Sequence, residues 1–131
     1  IIGAVLGVII AHIMFDNPLF DPSTHARTGT GQWTGEFVAT FGLVATILGC
    51  LKTRPEAIPY AVGLFITAGY WFTSSTSFAN PAVTIARGMT NTFSGIAPTH
   101  IAAFILVQLL AAIVATLIFQ WLYTEESFTS N

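Results

Sequence analysis

The chain has 131 residues, of which 53% are hydrophobic and 8% charged, with a mean hydropathy of +0.73 and a net charge of -2. Four basic and six acidic residues are too few to clothe a soluble domain of this size, so lipid is the expected solvent. They form no basic stripe for phosphates, which excludes nucleic acid as a partner, and the lone Cys50 reads as a small hydrophobe.

Residues 1–15 are apolar apart from His12 and predict a helix that Asp16-Asn17-Pro18 ends. The run opens Ile1-Ile2-Gly3 with neither Met nor a basic leader, so a piece of a longer protein is expected. Residues 18–31 have turn chemistry and no period. Residues 32–51 are long enough to span a bilayer, with Glu36 their only charge. A tight charged connection, residues 52–56, leads to a further apolar helix over 58–73, which the polar run Ser74-Ser75-Thr76-Ser77 interrupts. After Pro81 the segment 82–91 is too short to cross and reads as a re-entrant half helix, ended by Gly95 and Pro98. A last long apolar run covers 99–123, closed by Glu125, Glu126 and a polar tail to Asn131. The expected fold is an all-α membrane bundle, about four spans and one half helix in a single partial domain, residues 1–131. Lys52 and Arg54 in a short loop place that loop, and with it the C-terminus, in the cytoplasm. Small residues at Gly3/Gly7, Gly35/Ala39, Gly42/Thr46 and Ala111/Ala115 have the spacing that lets membrane helices approach closely.

Asn80-Pro81-Ala82 heads the short segment, with Pro81 suited to a first helical turn and Asn80 able to cap it. A half helix that begins within the bilayer offers donors and positive potential at its N-terminus, and the non-helical residues before it offer carbonyl acceptors. A neutral hydroxylated molecule can use both, whereas a cation opposes the dipole field. Asn80, Val83, Thr84 and Arg87 share one helix face by spacing.

These residues, with Gly31-Gln32-Trp33-Thr34-Gly35-Glu36-Phe37 and the short basic loop, resemble the aquaporins and glycerol facilitators. The resemblance runs from the end of that family's third span through its sixth, and implies a first half, with its own Asn-Pro-Ala half helix, outside this chain. It implies a passive channel for small neutral solutes and water, in a homotetramer, with no catalytic residues, metal or cofactor. The family's usual second motif continues with Arg, which forms part of the selectivity filter; here the position is Val83, and the nearest Arg is Arg87, one turn on. Val83 is therefore expected to line the constriction and Arg87 to lie nearer the outer mouth, leaving a wider aperture. Tyr70 and Ser77 are the other filter candidates, beside Asn80, Pro81 and Ala82. Glu36 is implied to brace the re-entrant segment by accepting its backbone donors. The run from Ser77 to Gly88 looks most like a bacterial branch associated with arsenic resistance, which implies arsenous acid or glycerol as cargo and a multi-pass protein of the bacterial inner membrane.

His12, His25 and His100 lack metal-ligand spacing and are expected to be solvated or hydrogen-bonded. Gln108 is expected to bond between helices, and Trp33 and Trp121 to anchor at headgroups. The alternatives are a water-selective pore, an ion-coupled transporter fragment, for which only Glu36 offers a membrane carboxylate, and a purely structural subunit. No HExxH, GxSxG or paired membrane carboxylates suggest an enzyme.

Overall fold

A computed structural model describes residues 1–126, and every element among them is helical. The chain runs α1 (Ile2–Met14), α2 (Thr30–Thr53), α3 (Ile58–Phe72), α4 (Pro81–Arg87) and α5 (Ile101–Glu126). Short 3-10 turns at Pro55–Ala57 and Pro98–His100 lead into α3 and α5. The expected polar tail after Glu126 lies outside the described residues.

Length separates the helices. The 24 residues of α2 and the stretch Pro98–Thr124, which contains most of α5, have the length and apolarity to cross a bilayer. The 15 residues of α3 fall short of the ~20 a span needs, so that expected span does not reach full length here, while the 13 residues of α1 match the short helix expected over 1–15. In α3 the cause is local. Thr73 turns to extended backbone (φ -101°, ψ 139°), and its hydroxyl donates to the Gly69 carbonyl at 2.7 Å. The half helix has seven residues, Pro81–Arg87, rather than the ten expected, and is therefore about 10 Å long.

The helices pack inside out relative to a water-soluble domain. Twelve buried side chains are polar or charged and eight are apolar among the described residues, so the interior is polar. Trp71, Leu64, Leu106 and Ile2 stand at 88%, 73%, 67% and 79% exposure. That distribution suits lipid outside and hydrogen bonding inside.

Close approach holds the bundle. α2 packs most extensively on α5 and then on α3, while α4 sits against α5 and α1. Ala39, Ala111 and Ala115 are fully buried. A methyl at Gly42 would come within 2.5 Å of the Phe65 ring, and one at Gly35 within 3.0 Å of the Ser75 amide nitrogen. Gly3 and Gly7 have open space around them, so that pair packs against nothing described. The loop between α1 and α2 folds back over the end of α4. Asp21 N–H donates to the Met89 carbonyl (3.1 Å), Ser23 N–H to Gly88 (3.0 Å), and Ala97 N–H to His25 (2.8 Å).

Candidate functional site

Between α3 and α4 the chain forms a short ribbon, residues 73–80, that is neither helix nor strand. Thr76, Ser77 and Ala79 have φ values of 61°, 53° and 49°, the left-handed region that residues with a Cβ avoid. Three such residues in four positions persist only where the surroundings impose them.

The imposing groups come from three directions. From α2, the Glu36 carboxylate accepts Phe78 N–H at 3.2 Å and Ala79 N–H at 2.6 Å, and Gln32 donates to the Ser74 carbonyl at 2.7 Å. From α5, Gln108 donates to Glu36 at 2.7 Å and to the Thr84 hydroxyl at 2.8 Å. From the α1–α2 loop, Arg27 donates through Nη1 to the Ser75 carbonyl at 2.8 Å. Thr84 completes the circuit by donating to the Asn80 carbonyl at 2.9 Å. The half helix is thus tied to both long helices. Glu36, Thr84 and Gln108 are each at most 1% exposed.

Asn80 caps α4 through its Oδ1, which accepts Ala82 N–H at 2.8 Å and Val83 N–H at 3.4 Å. Its amide NH2 is left as a fixed, exposed donor. Among the described residues, no protein donor reaches the carbonyls of Thr76, Ser77, Phe78 or Ala79. Acceptors followed by a donor therefore lie in sequence along the ribbon. Pro81 and Ala82 form the first turn.

Val83 and Arg87 line a cavity of about 530 Å³ between α1 and α4, with His12, Asn17, Thr90 and Ser94 also at its wall. Ala86 rather than Thr84 shares this wall: Thr84, placed by spacing on the same face, is fully buried toward Gln108. The discrepancy is one of angle, since 100° per residue sets 84 on the opposite flank of Asn80 from 83. Arg87 donates through Nη2 to the Tyr70 hydroxyl, joining the two candidates from α4 and α3. Ser77 is not at this cavity; it is 2% exposed, with its Oγ so close to Gly69 that a methyl there would sit 2.6 Å away.

Two histidines tie the loops to the helices. His12 is buried, with one ring nitrogen 2.7 Å from the Thr90 hydroxyl and the other bonded to the Pro18 carbonyl at 2.5 Å. His100 Nδ1 accepts the Arg27 N–H at 3.1 Å. No cluster of His, Cys, Asp or Glu able to hold a metal occurs among the described residues.

Arg27 was not singled out by sequence. It is 2% exposed, and besides Ser75 it donates to the Gly95 carbonyl at 2.7 Å and the Phe93 carbonyl at 2.9 Å. Burial, and then the charge of Arg87, lowers its pKa to about 10, with Glu36 opposing; it remains a cation at neutral pH. Its only signal was being one of four basic residues in a chain this apolar.

The chain is 55% identical over 120 residues to the aquaglyceroporin AqpS of Rhizobium meliloti (strain 1021), a match covering 92% of this chain and 52% of that protein. The chain belongs to the aquaporin family. It is an all-helical, partial aquaporin-like bundle of a membrane protein, and it spans about half the length of the curated relative it matches. No family profile and no solved structure matches this aquaporin-family chain.

Proposed function

We propose that this chain is part of a passive channel for small uncharged solutes: glycerol, arsenous acid and similar metalloid hydroxides, and water. The carrying observation is the ribbon and its cap, unpaired carbonyls at 76–79 followed by the fixed amide of Asn80 at the head of a half helix. A molecule with several hydroxyls can exchange its hydration for those acceptors and that donor as it passes. A cation moving toward the half helix meets its positive end. The name of the relative, aquaglyceroporin, supports neutral solutes as cargo.

In this reading Asn80, Pro81, Ala82 and Val83 border the path, Tyr70 and Arg87 form its outer rim, Ser77 contributes from the ribbon, and Glu36 braces it. The chain is one partial domain of a multi-pass protein of the bacterial inner membrane that assembles as a homotetramer. Val83 favours the solute channel over a water-selective pore, because an aliphatic side chain there adds neither a cationic donor nor the bulk of a guanidinium. An ion-coupled transporter would need an acid free to bind its ion, and both oxygens of Glu36 accept hydrogen bonds from the protein.

The test is flux of water, glycerol and arsenous acid through the complete protein in liposomes, beside Val83→Arg. The substitution should suppress the two larger solutes more than water. Equal flux ratios before and after would remove Val83 from the filter, and saturable uptake driven by an ion gradient would replace the channel with a transporter.

A further inference from the structure

Two guanidinium groups lie over one aromatic ring. Arg27 Cζ is 4.8 Å and Arg87 Cζ 4.4 Å from the centroid of Phe78, two residues before Asn80. The cations thus stand no farther apart than the sum of those distances. Phe78 is 4% exposed and packs edge-on against Phe104 at 5.4 Å, so the ring cannot move away. Like charges this close repel unless a negative surface lies near both; the ring face serves the two cations, and three carbonyls further hold Arg27, whereas Arg87 Nη1 is buried without a hydrogen-bond partner among the described residues. Glu36, on the amide nitrogen of the same Phe78, is the one carboxylate bonded to the ribbon among the described residues, so two cations face one anion and the cluster is net positive.

From this we infer that Arg27 and Arg87, gathered on Phe78, supply the positive potential that rejects cations in a filter whose own wall carries Val83. The inference rests on the channel reading and adds a positioning residue, Arg27, that touches no solute. It is buried, and its three described side-chain hydrogen bonds all go to backbone carbonyls, so it acts through its field and by fixing Phe78 and the ribbon. Arg87 is held at the rim by Tyr70 and by the same ring.

The experiment uses the complete protein in liposomes, with potassium and proton leak read against glycerol flux for wild type, Arg27→Gln, Arg27→Lys and Arg87→Gln. Gln and Lys both lose the planar three-carbonyl fork, but only Lys keeps the charge. Arg27→Gln should raise cation leak per unit glycerol flux about tenfold, as expected for one charge removed at this range in a protein interior. Arg27→Lys should keep the wild-type ratio although its melting temperature falls, and Arg87→Gln should raise the ratio in the same direction. Equal ratios for Arg27→Gln and Arg27→Lys would reduce Arg27 to a structural strut and overturn the inference. If neither Arg27 variant inserts, an unchanged ratio in Arg87→Gln does the same. Absence of glycerol flux in wild type would instead remove the channel reading itself.

Discussion

The exposed apolar surface of the helices and the buried ribbon obey opposite rules. On the outer faces Leu64, Trp71, Leu106 and Leu117 stand mostly free, and where such a face meets lipid any apolar residue of similar length would serve, because lipid is as apolar as the side chain. Where Glu36, Gln108 and Thr84 hold the ribbon, the contacts are specific in atom and direction, since a buried polar group that loses its partner there is left unsatisfied. Composition therefore suffices to describe the first region. The second needs individual residues.

Substitutions sharpen that contrast. Glu36→Ala should have the largest effect. It strands the N–H groups of Phe78 and Ala79 and one bond of Gln108, each worth about 1–3 kcal/mol, so a loss of at least ~3 kcal/mol is expected in reversible denaturation in micelles, with solute flux abolished. A stable, conducting Glu36→Ala protein would break the comparison. Gln108→Leu should cost about 1.5–3 kcal/mol by cutting the tie between α5, Glu36 and Thr84, read in the same way. Gly69→Ala should cost about 1–3 kcal/mol, because the added methyl would meet Ser77 Oγ at 2.6 Å, and glycerol flux should fall as the ribbon shifts. At the other end, Leu106→Ile on the outer face should change stability by less than about 0.5 kcal/mol and leave flux ratios unaltered. A larger effect there would mean that this face meets protein rather than lipid.

The same contrast explains what could be read without coordinates. Helix order, the interruption after α3 and the cap at Asn80 follow from local chemistry: apolar runs, a polar break, and Asn before Pro at a helix start. The end of α3 falls within one residue of where the polar run placed it, whereas α4 stops short of the expected length because beyond Arg87 the backbone changes to tighter turns, with Gly88 N–H donating to the Ile85 carbonyl and Met89 N–H to that of Ala86. Placement of Arg27 was invisible for a different reason. It lies in a loop without a period, and its partners Ser75, Phe93 and Gly95 are 48 to 68 residues away. The meeting of Tyr70 with Arg87, and the turning of Ser77 toward Gly69, likewise depend on how α3 and α4 are set against each other. Spacing within one helix cannot report that.

The left-handed backbone at Thr76, Ser77 and Ala79 is built without a single glycine, so nothing in the ribbon's own residues favours its shape. Cut out as a peptide, residues 73–87 would wander through ordinary conformations. The shape exists only once α2 has delivered Glu36 and α5 has delivered Gln108 to the same spot, helices whose bonded residues stand 72 apart in sequence. The ribbon's shape is thus a property of the helix pair around it rather than of its own residues.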